Sequence, residues 1–298
     1  MPFTSHYLRC AGLEIHYTDW PASSACPPCG TVLAWHGLAR TGRDMDELAA
    51  HLSALGYRVI CPDTIGRGLS QWSSAPQREY RLAFYARIAR ELLDQLAIDT
   101  FHWVGTSMGG AIGMVCASGL TEPSLKARTL SLTLNDNAPQ LAPAAIERIK
   151  AYAGSPPAFA TVSELETFFR QVYKPYGWLS DAQWKRLTET STRRLPDGRV
   201  TPHYDPSIVQ QFISHPDDYL IWNHYDALHI PVLCLRGVHS DLVLPDTLVA
   251  MQIRGPGALG LLNVQQIEGC GHAPALNVPE QLELVSQHLQ SATNQPNT

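Results

Sequence analysis

A serine lies at the centre of the segment G-T-S-M-G, residues 105–109. An apolar run precedes this segment and a run of small residues follows it, which predicts a strand, a tight turn and a helix. The backbone of such a turn is strained, and glycines two residues either side of Ser107 remove side chains that would collide. Ser107 would then open the helix, where free N–H groups and the helix dipole favour developing negative charge. A glycine-rich turn alone often marks only a loop, so the interpretation as a nucleophile depends on its partners.

A serine hydroxyl needs a base within hydrogen-bond reach and a group that orients that base. In open α/β sheets, reacting groups collect outside the carboxyl ends of the strands. His272 follows the last predicted strand, and the glycines at 269 and 271 allow a close approach. The sequence therefore predicts His272 as the general base.

Two aspartates compete for the place of the orienting acid. Asp241 follows the strand before His272, and the chain order Ser107, Asp241, His272 is the order expected for a nucleophile on such a turn. Asp136 also follows a strand, and its alternative role is that of a hinge residue held by turn hydrogen bonds. Asp246 is a weaker candidate, more typical of the first turn of a helix. The sequence favours Asp241 and leaves Asp136 open.

The negative charge that forms during acyl transfer needs two preorganised N–H donors. The backbone of Met108, directly after the serine, is the first, and Leu38, after the first central strand, is the expected second. His36 is interpreted as a residue that braces this loop rather than as a second base. Arg40 could face a substrate or pair with an acidic neighbour, and the sequence does not decide between them. The glycine-punctuated run 63–70 lacks the lysine and spacing of a phosphate loop and is predicted to be a structural turn.

Strands alternate with helices along most of the chain, which predicts a doubly wound, mostly parallel sheet with an antiparallel edge hairpin. The predicted strands are 3–9, 13–20, 31–35, 57–61, 101–104, 129–134, 231–236 and 264–267, and the predicted helices include 44–55, 79–97 and 279–290. Residues 138–225 contain no strand-like run but many aromatic residues, which indicates a helical cap inserted into a core of residues 1–137 and 226–298. The cap aromatics are expected to line a cleft that favours an apolar, uncharged group, with Phe168, Phe169, Trp178, Trp184 and Trp222 as its candidates. Residues 291–298 are predicted to be disordered.

The composition excludes several classes of function. The chain has 298 residues, a net charge of −5 and no cluster of Lys or Arg, which argues against a nucleic-acid partner. The first ten residues lack the pattern of a signal peptide, and no apolar run is long enough to span a bilayer. The seven cysteines are odd in number and scattered, which suits reduced thiols in the cytoplasm. The pair Cys26 and Cys29 has the spacing of a metal or redox site but no second pair accompanies it, so no metal or other cofactor is expected.

These motifs occur together and in order: H-G at 36–37, D-x-x-G-x-G-x-S at 63–70, G-T-S-M-G-G at 105–110, S-D at 240–241 and G-H at 271–272. Together they resemble the α/β-hydrolase superfamily, in the branch with a helical cap after the sixth strand. The resemblance extends over residues 31–290. Members with this outline include carboxylesterases, lactonases, carbon–carbon bond hydrolases, perhydrolases, dehalogenases and epoxide hydrolases. The last two have an aspartate where this chain has Ser107, which argues against them, and the run 38–42 lacks the glycines usual in carbon–carbon hydrolases.

The sequence thus predicts a serine hydrolase that cleaves esters of small to medium apolar carboxylic acids. Ser107 would attack, His272 would take its proton, Asp241 would orient the imidazole, and Met108 and Leu38 would hold the oxyanion. A lactonase or carbon–carbon hydrolase with the same residues is the alternative within enzymes. A ligand-binding module that no longer uses these residues is the alternative outside them.

Overall fold

A computed structural model describes residues 3–293, and its centre is an eight-stranded sheet. The order of strands across the sheet is β1-β2-β4-β3-β5-β6-β9-β10. β1 and β2 form an antiparallel hairpin at one edge, β2 pairs antiparallel with β4, and the remaining pairs are parallel. The strands are β1 Thr4–Cys10, β2 Leu13–Trp20, β3 Gly30–Trp35, β4 Tyr57–Pro62, β5 Phe101–Thr106, β6 Thr129–Asn135, β7 Thr192–Arg194, β8 Val200–Pro202, β9 Val232–Gly237 and β10 Leu262–Ile267. This is the predicted doubly wound α/β fold, with its antiparallel edge.

Helices follow the strands and also form most of the segment between β6 and β9. They are α1 Asp46–Ala54, α2 Pro76–Glu79, α3 Leu82–Gln95, α4 Met108–Ser118, α5 Pro123–Lys126, α6 Pro143–Ala153, α7 Val162–Val172, α8 Asp181–Thr190, α9 Gln210–Ile213, α10 Trp222–Asp226, α11 Pro245–Gln252, α12 Gly255–Ala258 and α13 Pro279–Thr293. Short 3₁₀ helices cover Gly42–Met45, Lys174–Tyr176 and Pro206–Val209. Among residues 3–293, no helix combines the length and the apolar composition that crossing a membrane requires.

The sheet is buried on both faces, because successive side chains of its central strands point to opposite sides. On β3, Leu33 and Trp35 pack into a cluster with α3 and α4, whereas Val32 and Ala34 pack into one with α1 and α13. The ring of Trp35 stacks on that of Trp103, with centroids 5.3 Å apart. Near-continuous apolar strands are what a parallel sheet between two helical layers requires.

Three elements differ from the sequence prediction. The helix expected over 79–97 is broken into α2 and α3, because Tyr80 is buried between them and donates a hydrogen bond to Asp205 at 2.6 Å. The inserted segment contains the antiparallel strands β7 and β8, each three residues long and thus too short to produce an alternating pattern. α13 continues to Thr293, because Val285 and Leu289 bury its inner face, so the disorder predicted from 291 begins too early. Residues 294–298 of that prediction lie outside the described part of the chain.

Two buried histidines make the stability of the fold dependent on pH. Burial lowers the pKa of His36 and of His102 to about 4, against 6.5 for an ordinary histidine. Between these values the unfolded chain binds a proton at each ring that the folded chain does not. Stability is therefore highest above pH 6.5, and each ring lowers the free energy of unfolding by about 1.4 kcal/mol per pH unit as the pH falls.

We expect urea unfolding of His102→Asn to show a weaker decrease in stability between pH 7 and pH 5 than the unsubstituted chain. The difference should correspond to about one proton. His36→Asn gives an independent second measurement, and His229→Asn, at an exposed ring, is the control. Equal pH slopes in all four proteins would show that the two buried rings do not titrate in this range.

Candidate active site

Ser107 lies on the tight turn between β5 and α4, as predicted. Its φ of +52° is unusual for a residue with a side chain, and its N–H donates to the carbonyl of Asn135 at 2.9 Å. A Cβ on Gly105 would overlap the backbone of Gly109, and a Cβ on Gly109 would overlap the carbonyl of Trp35. The glycine spacing therefore has the steric cause inferred from the sequence.

His272 lies in the loop after β10, and its acidic partner is Asp136. The Nδ1 of His272 lies 2.6 Å from Oδ2 of Asp136, whose side chain is fully buried. Asp136 is the first residue after β6 and has a φ of +51°, a conformation that aspartate adopts more readily than most residues. With Nδ1 bonded to a carboxylate, the other ring nitrogen of His272 is the one available to a serine hydroxyl.

The choice of Asp241 as the orienting acid needs correction, because the structure does not bring Asp241 to His272. The carboxylate of Asp241 is 51% exposed and forms an ion pair with Arg148 of α6. Asp241 is four residues beyond the end of β9, where the chain has already turned outward, whereas Asp136 follows directly from the more central β6. Asp246 is exposed in the first turn of α11, the position that the sequence predicted for it.

Ser240, a residue that the sequence analysis mentioned only beside Asp241, helps to fix the acid. Its Oγ donates to Oδ2 of Asp136 at 2.7 Å, and the N–H of Gly237 donates to Oδ1 at 3.0 Å. Gly237 also lies against the backbone of Gly271, where a Cβ would overlap the Gly271 carbonyl. Asp136 therefore joins the ends of β6 and β9 to the loop that carries His272.

The two predicted oxyanion donors lie near the serine. Met108 begins α4, and Leu38 follows β3 and lines the same cavity as Ser107. Within residues 3–293 neither N–H donates a hydrogen bond to the protein. A Cβ on Gly37, the neighbour of Leu38, would lie only 3.6 Å from Cβ of Ser107, so this loop reaches Ser107. Both N–H groups are thus available for an oxyanion.

Arg67 is buried behind these donors, and the sequence analysis missed it. Its Nε donates to the carbonyl of Leu38 at 2.8 Å, and its Nη2 lies 3.5 Å from the sulfur of Met108. Its Nη1 donates to the carbonyl of Ile65 and to the hydroxyl of Tyr85. The run 63–70 is therefore a structural turn, as predicted, but one that places a guanidinium against both predicted oxyanion donors.

Two further residues of the first loop are structural. Nε2 of His36 accepts from the N–H of Thr64 at 2.9 Å, and Nδ1 donates to the carbonyl of Gly37, which confirms the bracing role. The lowered pKa of His36 keeps this ring neutral. Arg40, whose role was undecided, is buried and bonds both carboxylate oxygens of Asp44 and the hydroxyl of Ser191.

A cavity of about 450 Å³ contains Ser107 and His272 in its wall. The inserted segment contributes a largely apolar side consisting of Ile149, Tyr152, Val172, Tyr173, Pro175 and Tyr176, together with Arg148. The five aromatics singled out from the sequence are not in this wall. Phe169 and Trp184 are buried within the inserted segment, Phe168 packs against them, Trp222 packs on the main core, and Trp178 is exposed.

No group of three or more His, Cys, Asp or Glu side chains is arranged to bind a metal ion in the described residues. Cys26 and Cys29 are free thiols whose sulfurs contact the carbonyls of Ala54 and Leu55.

Comparison with known proteins agrees with this geometry. A family model described as the alpha/beta hydrolase fold matches residues 30–277. The 3-hydroxybutyrate-oligomer hydrolase of Cupriavidus necator is 34% identical over 301 residues, which cover 96% of this chain and 97% of that protein. The chain belongs to the α/β-hydrolase family. The crystal structure of an α/β hydrolase from Novosphingobium aromaticivorans is 30% identical and covers 97% of this chain and 98% of its own, with a TM-score of 0.81. E-2-(acetamidomethylene)succinate hydrolase, at 21% identity and a TM-score of 0.80 over 97% of this chain and 100% of its own, is alike in fold.

The contacts of Asp136 lead to a test of the acid in this α/β hydrolase. Asp136→Asn should lower the turnover of an activated ester such as p-nitrophenyl butyrate by about 10⁴-fold, because an amide stabilises the wrong imidazole tautomer. The loss of turnover in Asp241→Asn should be at least 100-fold smaller than the loss in Asp136→Asn, since Asp241 bonds Arg148 instead of His272. A larger loss at Asp241 would restore the assignment made from the sequence.

The contacts of Arg67 lead to a second test. Arg67→Met should lower kcat for the same ester by about 10- to 100-fold with a smaller change in KM, because the carbonyl of Leu38 loses the donor that holds this residue beside Ser107. Arg128→Met is the control, since Arg128 also donates to a carbonyl, that of Ile98, and does not line the cavity. An equal loss in the two variants, or a change confined to KM, would contradict a role in the oxyanion site.

Proposed function

We propose that this α/β hydrolase is a serine ester hydrolase that acts through an acyl-enzyme, with Ser107, His272 and Asp136 as its triad. The observation that carries the proposal is the bond between His272 Nδ1 and the buried Asp136, in the wall of the cavity that also contains Ser107. A histidine fixed in this way has its other ring nitrogen free for a hydroxyl proton. The strained turn at Ser107 is a further feature of a nucleophile.

The reaction follows from these positions. Ser107 Oγ attacks the ester carbonyl while His272 takes the hydroxyl proton, and Asp136 stabilises the imidazolium. The oxyanion is held by the N–H groups of Met108 and Leu38, and Arg67 holds Leu38 in place through its carbonyl. His272 then gives its proton to the departing alcohol. Water, deprotonated by the same ring, cleaves the acyl-enzyme and releases the acid.

The substrate we propose is an ester of small hydroxy acids, in particular a short 3-hydroxybutyrate oligomer. The relative from Cupriavidus necator supports this class, because it is similar over nearly its whole length. A cavity of about 450 Å³ suits a ligand of a few such units, and its aliphatic and aromatic side agrees with the short methyl-bearing chain. The esters of apolar acids inferred from the sequence belong to the same class of reaction.

Residues 138–225 are proposed to act as a cap that selects the substrate. They contribute Arg148, Ile149, Tyr152, Val172, Tyr173, Pro175 and Tyr176 to the cavity that holds the nucleophile. The cytoplasmic location inferred from the sequence stays a prediction.

A fluorophosphonate probe tests the nucleophile directly. We expect it to label the unsubstituted protein and not Ser107→Ala, and we expect Ser107→Ala to lose ester turnover by about 10⁴-fold or more with unchanged folding. Ser163→Ala, at an exposed serine of α7, is the control.

Labelling of Ser107→Ala to the same extent would refute the assignment. Absence of labelling and turnover in the unsubstituted protein would favour a ligand-binding module. A panel of linear esters, lactones and ring-cleavage products then distinguishes an esterase from a lactonase and from a carbon–carbon hydrolase.

A further inference from the structure

Arg148 is a cation in the wall of the catalytic cavity, and nothing in the reaction described above uses it. It lies on α6 of the inserted segment and pairs with Asp241, a residue of the core loop after β9 that also lines the cavity. Asp241 is adjacent to Ser240, whose Oγ bonds the same oxygen of Asp136 as His272 does. The ion pair therefore bridges the inserted segment and the core close to the proposed triad.

From this position we infer that Arg148 binds a free carboxylate of the substrate, and that Asp241 is the internal anion which that carboxylate replaces. The inference rests on the proposed ester hydrolysis and specifies its substrate class as esters that carry a carboxylate. The 3-hydroxybutyrate oligomers proposed above belong to this class, since each has one free carboxyl end.

The exposure of the pair allows such an exchange. Arg148 is 53% exposed and Asp241 51% exposed, so both are hydrated and their mutual attraction is weak. A guanidinium binds a carboxylate through two parallel N–H···O bonds, and a substrate carboxylate offers the same geometry as Asp241. Little is lost when one carboxylate takes the place of the other.

Arg40, the other arginine of the cavity wall, is a poorer candidate. It is 3% exposed, its Nε and Nη2 already bond both oxygens of Asp44, and its guanidinium lies 4.5 Å from the ring centroid of Tyr173. Its Nη1 has no partner in the described residues but is also shielded from solvent. A ligand would have to displace this packing before it reached Nη1, whereas Arg148 is accessible as it stands.

The test compares one substrate with and without its charge: the linear dimer of 3-hydroxybutyrate as the free acid, and the same dimer with a primary carboxamide at that end. The two share the scissile ester and nearly the same shape. The readout is the ratio of kcat/KM for the acid to kcat/KM for the amide. A general loss of activity changes both values and leaves the ratio alone.

The two members of the ion pair should change this ratio in opposite directions. Arg148→Gln should lower it by roughly 10- to 100-fold, because the charged hydrogen bonds to the acid are lost and Asp241 then repels it. Asp241→Asn should raise it by roughly 3- to 10-fold, because the competing anion is removed. A merely structural contact between cap and core would be broken equally by both substitutions and would shift the ratio the same way.

Arg170→Gln is the matched control. Arg170 is also an arginine of the inserted segment with carboxylate partners, Glu166 and Asp181, but it does not line the cavity. It removes the same charge from the same part of the chain, so it reports the effect of net charge alone. A ratio in Arg148→Gln equal to that in Arg170→Gln would overturn the inference.

Failure of the inference is distinguishable from failure of the proposed function. If the dimers are hydrolysed but the ratio does not respond to Arg148→Gln, only the carboxylate site is wrong. If neither dimer is hydrolysed, calorimetric titration of Ser107→Ala with each dimer decides the question. Tighter binding of the acid that is lost in Ser107→Ala/Arg148→Gln supports the site, and equal or no binding of the two refutes it.

Discussion

The buried carboxylate of Asp136 is the contact on which the arrangement of the site depends. It has no access to solvent, and it accepts hydrogen bonds from His272, Ser240 and the N–H of Gly237. A buried carboxylate without partners would be strongly destabilising, and these donors come from the end of β9 and from two loops. Because all three must converge on one group, the positions of the β6 end, the β9 end and the His272 loop are not independent.

Close backbone approach is the second constraint, and glycine is what permits it. The carbonyl of Gly271 lies where a side chain on Gly237 would have to be, so the His272 loop can reach the end of β9 only if that residue is glycine. In the same way the turn at Ser107 brings α4 close to β5 at Gly105 and close to the end of β3 at Gly109. These glycines are required by close contact and not by a positive φ, whereas Ser107 and Asp136 have positive φ values.

The sequence predicted the elements that hold the site, together with Ser107, because their signals are local: apolar strands, flanking glycines and chain order. It could not separate Asp136 from Asp241, because both follow strands and only the structure shows that Asp136 bonds His272 whereas Asp241 pairs with Arg148. Ser240 and Arg67 gave no local signal, because their importance arises from contacts with residues 104 and 29 positions away in the chain. The aromatics of the inserted segment were predicted as a class, but helical packing buries Phe169 and Trp184 and turns Tyr152 and Tyr173 to the cavity.

The charges around the cavity also differ from what composition indicates. The inserted segment has no cluster of Lys or Arg, and this composition predicts an uncharged ligand. Yet Arg40 and Arg148 both line the cavity wall. The ion pair of Arg40 with Asp44 is largely buried, whereas the ion pair of Arg148 with Asp241 is exposed to solvent. A buried, geometrically matched pair is hard to separate, and a hydrated one exchanges partners readily. The same residue types therefore give a fixed support at one position and an accessible cation at the other. The difference arises from burial, which cannot be predicted from net charge or from residue spacing.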